Sequence, residues 1–218
     1  SDPYALRRQG IGIAQILAAK NFSLSLKALI AESVGQFADQ CLAAQETVVE
    51  EVYAFLSNRI SRLMVEAGNE KELVAAVVSV SVDDVPAAWN RVRALGKLRQ
   101  NADFEPLAAA FKRVVNIIKK AETASLPPVD AKLLQEPAEI QLFDDYGRVR
   151  FQISQQVEAG HLDDALLTIA SLRGAVDRFF EDVMVMVEDE RVRTNRLALL
   201  GAIAGLFGDF ADFSKISA

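Results

Sequence analysis

The chain has 218 residues, 51% of them hydrophobic and 25% charged, with a formal net charge of −6 and a mean hydropathy of +0.15. That is enough apolar material for one large helical domain or two small ones, and no apolar run reaches the ~18 residues that would span a bilayer. A lone cysteine, Cys41, excludes an internal disulfide and fits a reducing compartment, so cytoplasm is the expected location and no membrane partner is expected.

The N-terminus, Ser1-Asp2-Pro3-Tyr4, lacks the basic and apolar segments of a signal peptide and reads as a cut just before a helix, as in a piece of a longer chain. Asp2-Pro3 is a cap with a first-turn proline, and Leu6, Ile13, Ile16 and Leu17 follow on one broad face. Ser23 or Ser25 opens a second helix carrying Leu26, Leu29, Ile30 and Phe37. Thr47 and Glu50 have capping-box spacing ahead of a stripe of Val52, Phe55, Leu56, Ile60, Leu63 and Met64, which Gly68 ends. Asn69 and Glu72 have the same spacing before a short apolar helix through Val78. Val80–Val82 is too short to count as a strand.

Asp83-Asp84 caps a helix with Pro86 in its first turn, running through Trp89, Val92 and Leu95. Asp103 and Pro106 start the next, whose stripe is Phe104, Leu107, Phe111, Val114, Val115 and Ile118. The long irregular stretch is Glu122–Glu136, containing Pro127-Pro128. Pro137 starts a helix through Ile140, Phe143, Tyr146, Ile153 and Val157, stopped by Gly160. Helices over 163–172, around Phe179-Phe180 and over 188–210 complete the chain. The expectation is an all-α protein of helical bundles, with about ten helices and no sheet. A boundary near residue 100 separates an N-terminal helical region, 1–100, from a bundle, 101–218.

Catalytic chemistry finds no foothold. His161 stands alone behind Gly160 and reads as a turn or cap residue, and Gly10-Ile11-Gly12 lacks the third glycine and the strand of a phosphate loop. Acidic pairs such as Asp144-Asp145 and Asp163-Asp164 fall where helices begin, and the helix dipole favours acids there. No catalytic residue, metal ligand or cofactor site is expected in this chain.

Charge is unevenly placed. Arg91, Arg93, Lys97, Arg99, Lys112, Arg113, Lys119 and Lys120 face only Asp103 and Glu105 between residues 91 and 120, so this stretch is +6 and the remainder −12. An acidic body with one basic stripe can steer a polyanion to one place; the competing explanation is two solvated helix faces.

Three segments carry a resemblance. Leu172-Arg173, Val176-Asp177, the run Phe179-Phe180-Glu181-Asp182-Val183-Met184-Val185-Met186 and Asn195-Arg196-Leu197-Ala198-Leu199-Leu200 follow a pattern of the bacterial glycyl-tRNA synthetase β subunit, whose end the closing Ala211-Asp212-Phe213-Ser214 also fits. Lys112-Arg113-Val114-Val115-Asn116-Ile117 and Asp2-Pro3-Tyr4-Ala5-Leu6-Arg7-Arg8 are similar to two further segments of that family, in the same order. The resemblance implies the C-terminal part of such a subunit, with a DALR-type anticodon-binding bundle from about residue 101. The signature arginine is missing from Asp164-Ala165-Leu166-Leu167, so no role is carried over there. It implies tRNA(Gly) as partner, together with the α subunit and the rest of β in an α2β2 assembly. ATP and Mg chemistry would lie in the α subunit, with none in this chain, and no DNA partner is implied.

Candidate RNA contacts are Lys112, Arg113, Asn116, Lys119 and Lys120, opposite the apolar stripe of their helix, joined by Arg91, Arg93, Arg191, Asn195 and Arg196. Asn195 suits a loop backbone as well as RNA. Val176, Phe179, Phe180, Val183, Met184 and Met186 are expected in the core, and Arg173 and Asp177 have the spacing of an ion pair. Glycine anticodons hold two adjacent cytosines whose N4 amino groups an Asp or Glu accepts, and loop bases stack on aromatic or guanidinium planes. The Pro127-Pro128 linker and the Asp144-Asp145-Tyr146 face are two sources of such groups. The alternative function is a helical scaffold joining subunits or domains without touching RNA.

Overall fold

The computed structural model describes residues 3–40, 42–101, 104–121 and 126–216. The expected roles of Asp2, Cys41, Asp103 and 122–125 fall outside those residues. Ten α-helices and three short 3-10 turns make up the described chain, which contains no strand. It divides into two compact units, Ser1–Gly96 and Lys97–Ala218. None of the described helices is long and apolar enough to cross a membrane.

In the first unit α1 (Pro3–Ala19) and α2 (Leu26–Gly35) both pack on α3 (Gln45–Glu66), followed by α4 (Lys71–Val78) and most of α5 (Val85–Arg99). The buried stripe of α1 is not the expected one. Gly10, Ala14 and Leu17 face inward, whereas Leu6, Ile13 and Ile16 are exposed. Gly10 explains the shift: a Cβ there would stand 3.1 Å from both Phe55 and Leu56, so its bare backbone lets α1 approach α3 closely.

Helix starts also differ in detail. The N-cap of α2 is Ser25, whose oxygen accepts from the Ala28 amide at 3.0 Å, while the Ser23 hydroxyl donates to Asp84. The Thr47–Glu50 box does not form, because α3 begins at Gln45 and Thr47 is already helical; Glu50 pairs instead with Lys27 at 2.6 Å. Asn69 does not start α4. It closes α3 by donating its amide to the Met64 carbonyl at 2.8 Å, beside Gly68 at φ +93°. Asp83 and Asp84 serve two helices: Asp84 accepts from the Ala87 amide at 2.8 Å to cap α5, and Asp83 accepts from the Lys27 amide at 2.7 Å at the start of α2.

The second unit contains α6 (Phe104–Lys120), α7 (Pro137–Glu158), α8 (Leu162–Ala170), α9 (Arg173–Asp182) and α10 (Glu190–Gly208). α10 packs on α6 and α7, and α7 also packs on α8 and α9. Pro137 opens α7, and Gly160, at φ +77°, ends it. The inward residues of α7 are Glu139, Leu142, Val149 and Ile153; Ile140 and Val157, expected inside, are exposed. From Leu197 onward α10 is apolar on every side, and Phe207 joins Phe111 and Phe213 in a three-ring cluster, its centroid 4.8 Å from that of Phe213. Rings met edge-on at that distance add to the gain from burying them.

The segment between α9 and α10 leaves Val183 in an extended conformation and bends at Val185 and Met186, and its side chains alternate. Val183 and Val185 point in, whereas Met184 and Met186, expected in the core, are 73% and 59% exposed. Arg173 and Asp177 meet at 3.5 Å across one turn of α9, as their spacing predicts.

Candidate nucleic-acid interface

The apolar stripe of α6 fixes its other face. Phe104, Leu107, Phe111 and Val114 are buried, and Val115 and Ile118 half-buried. At ~100° per residue, Lys112, Arg113, Asn116, Lys119 and Lys120 then fall within an arc of about 120° on the far side. All five are exposed. The arc is not uniformly free. The Arg113 guanidinium sits 4.1 Å over the Phe180 ring, which ties α6 to α9, so part of its role is packing. Lys119 helps hold the Asp212 carboxyl below the ordinary carboxylate value. Burial pushes that group up, but hydrogen bonds from Ser214 and the charges of Lys119 and Lys215 outweigh it.

The other expected contacts are differently placed. Arg91 and Arg93 belong to the first unit. The Arg91 guanidinium donates to the Ser81 carbonyl at 2.6 Å, and Arg93 is exposed beside the Trp89 ring. Arg191 is exposed at the start of α10, lining a small cleft of about 350 Å³ with Pro127 and Pro128.

Asn195 and Arg196 are interior residues, each 4% exposed, which corrects their expected place on the surface. The Asn195 side chain grips one residue of the linker at both ends: its oxygen accepts from the Asp130 amide at 2.7 Å, and its nitrogen donates to the Asp130 carbonyl at 3.0 Å. Arg196 forms a buried ion pair with Glu139 of α7 and donates to the Met184 carbonyl at 2.8 Å. Glu139 accepts in turn from the Gln135 amide at 2.9 Å. These residues therefore hold the linker, α7 and the segment before α10 in register. Asn195 leaves this choice open in the sequence, because an amide suits a backbone and a base equally; nothing in the spacing of Glu139 and Arg196 signals their pairing across 57 residues.

The linker and α7, singled out separately as possible sources of base-reading groups, come together. Leu126–Val129 runs beside α7 and α10 along a cleft of about 1130 Å³, with Ile118 of α6 at its edge. Among its lining residues Pro127 and Pro128 are exposed, and Phe143 and Tyr146 are half-buried. Asp144, Arg148 and Arg150 supply the charged groups, Arg148 being paired with Asp145 at 2.6 Å. Gly147 leaves its part of the wall open, since a Cβ there would meet nothing within 4 Å, whereas the Leu126 side chain packs against Gly201, 2.8 Å from where a Cβ would stand.

Known proteins with similar sequences agree in kind. Residues 1–79 match the family model described as glycyl-tRNA synthetase beta subunit, and residues 107–216 match that of the DALR anticodon binding domain. The chain is 47% identical over its whole length to a glycine–tRNA ligase beta subunit of Desulfatibacillum aliphaticivorans, 31% of which it covers. It is 44% identical to those of Geotalea daltonii and Geobacter metallireducens, again over all of this chain and 31% of the relative. The chain thus spans about a third of the length of the relatives it matches. Two family models in succession and whole-chain identity above 40% leave one assignment: the chain belongs to the glycyl-tRNA synthetase β-subunit family and carries a DALR anticodon-binding domain over residues 107–216.

Proposed function

We propose that this chain is the tRNA-binding part of a glycine–tRNA ligase, gripping tRNA(Gly) by its anticodon arm while aminoacylation proceeds elsewhere in the enzyme. The observation that carries the reading is the cationic face of α6, which lies within the residues matching an anticodon-binding domain. Lys112, Lys119 and Lys120 offer ammonium groups to phosphates, and Asn116 adds an amide that can donate to phosphate or sugar. A negative chain is no obstacle, since the positive charge is gathered on one stretch and the remainder keeps other surfaces from holding RNA. Adenylate formation with ATP and Mg is assigned to the α subunit, which together with the rest of β in an α2β2 enzyme completes the set of partners, in the cytoplasm.

The triple variant Lys112→Ala, Lys119→Ala and Lys120→Ala tests this. Affinity for tRNA(Gly), measured by filter binding over a salt series, is expected to fall. The slope of log affinity against log salt should drop by roughly 2 to 3, at ~0.7–0.9 for each phosphate contact removed. Folding should be little affected, because exposed substitutions are usually mild. An unchanged slope would remove α6 from the interface.

One observation favours a second reading. Leu6 and Ile16 leave α1 with an exposed apolar face in the first unit, as a surface for protein packing would. On that reading the chain is chiefly a scaffold: Leu6→Ser with Ile16→Ser abolishes association with the α subunit or the remainder of β, and the lysine variants leave tRNA affinity untouched.

A further inference from the structure

The connection between α9 and α10 is the chemical opposite of the cationic face of α6. With the helix ends that flank it, it carries Glu181, Asp182, Glu188, Asp189 and Glu190 and neither lysine nor arginine. Its charge is −5 over residues 181–190, and still −3 when Arg191 and Arg193 are counted. All five acids are exposed. Between them stand Met184 and Met186, 73% and 59% exposed. A single exposed methionine needs no explanation, but two on the same side of one segment form a small apolar patch, here with an acidic rim.

The patch is held in place. Val183 and Val185 anchor it in the core at 6% and 8% exposure. The buried Arg196 guanidinium donates to the Met184 carbonyl at 2.8 Å, and that of Arg193 donates to the Val187 carbonyl at 3.1 Å. Asp189 then fixes the far end by accepting from the Arg191 and Val192 amides. Because the segment is already ordered, binding here loses little conformational entropy. Because the Met184 and Val187 carbonyls are already taken, little strand edge is left to pair with, and a partner engages side chains.

The side chains select the partner. The acids repel phosphate, which disfavours RNA and an anionic lipid surface on this side. Methionine thioethers are flexible and polarizable, and they pack against apolar side chains of varied shape. A helix with an apolar stripe covers them, and lysine or arginine beside that stripe meets the acids. We propose that the connection between α9 and α10 is a docking surface for a cationic amphipathic helix of a separate protein chain. It holds whether or not α6 binds RNA, because the two surfaces have opposite charge and share no residue.

The probe is a synthetic leucine–lysine peptide of about 18 residues, about five helical turns with leucines on one face. Its controls are the leucine–glutamate counterpart and a scrambled leucine–lysine peptide without the stripe. Binding is read by fluorescence anisotropy on the 218-residue chain, with thermal melts as a check on folding. The wild type should bind the striped cationic peptide, more weakly as salt rises, and neither control. Met184→Ser with Met186→Ser should weaken it by about 10- to 100-fold, the range for giving up part of the burial of two such side chains. Glu181→Gln, Asp182→Asn and Glu188→Gln together should weaken it by about 10-fold, on the scale of interfacial charge pairs. Removing as many charges from the first unit, by Glu32→Gln, Glu46→Gln and Glu51→Gln, should leave it unchanged. So should Leu6→Ser with Ile16→Ser on the exposed face of α1. These side chains are all exposed, so the melts should stay near the wild type, and the methionine variant should keep its affinity for an anticodon-arm RNA hairpin.

Equal peptide affinity in the methionine variant, or equal binding of the scrambled peptide, would reduce the effect to net charge and overturn the proposal. So would tight binding of the leucine–glutamate peptide, or a wild-type chain that leaves the cationic peptide free at about 1 mM. Loss of hairpin affinity in the methionine variant would give the surface to RNA. A wild-type chain that dimerises in sedimentation while the methionine variant stays monomeric would give it to a second copy. Either result ends the proposal.

Discussion

Arg113 and Lys112 are neighbours in sequence and both exposed, yet they do different work. Lys112 projects from α6 with no ion pair or ring partner among the described residues, whereas Arg113 lies on the Phe180 ring at 4.1 Å. Arg113→Ala should therefore cost about 0.5–1 kcal/mol of stability, a typical exposed cation–π contact, while Lys112→Ala is neutral within error in urea unfolding. Asp212 gives a pH-dependent case. Its folded value lies below the ordinary 3.8, so the stability it contributes is present above that value and lost as pH falls through the lower folded value. Asp212→Asn should accordingly lower the melting temperature at about pH 7 and have little effect near pH 2. The first behaviour is not written in local sequence, because Phe180 is an ordinary residue until the fold sets it against Arg113, whereas Ser214 and Lys215 lie two and three residues from Asp212.

Between elements, the ties are polar and buried. Arg196 and Glu139 pair in the interior, 5% and 0% exposed at their side chains, and the same arginine anchors the Met184 carbonyl. Arg196→Met should destabilise the second unit by roughly 3–5 kcal/mol in urea unfolding, because it strands a buried carboxylate. Changing Glu139→Leu as well should restore most of that loss, which a purely steric role for Arg196 would not allow. Gly10 is the apolar counterpart in the first unit. Gly10→Val is expected to cost about 1–3 kcal/mol, since Phe55 and Leu56 must give way or α1 must rise from α3. Helix existence, order and approximate ends were legible from periodicity, prolines and Gly68 and Gly160. The inward face was not always. α1 offers two apolar arcs of similar strength, and the one that packs is chosen by the absence of a side chain at Gly10. Capping spacing misled at Thr47 and Asn69 for a related reason: the motif describes what a residue can accept, while the neighbouring turn decides what it does accept.

At the scale of the whole chain, the positive charge and the concave space both belong to the second unit. The second unit presents a cationic helix face and, around the end of that helix, a cleft lined by rings. Expressed alone, residues 97–218 should unfold in one cooperative helical transition by circular dichroism and keep most of the hairpin affinity, which would place the RNA site in that unit. The all-helical class, the cationic arc of α6 and the lack of catalytic motifs were determined by the sequence itself, because side-chain period and residue type are local properties of the chain. The interior positions of Asn195 and Arg196, the outward turn of Met184 and Met186, and the meeting of Pro127-Pro128 with Tyr146 were decided only by tertiary structure. Asn195 and Arg196 are held inside by Asp130 and Glu139, more than fifty residues away, and the prolines and Tyr146 line one cleft only once α7 is folded beside the linker. Which side of the segment before α10 faces the core is settled by what packs on it, so no local spacing carries that information.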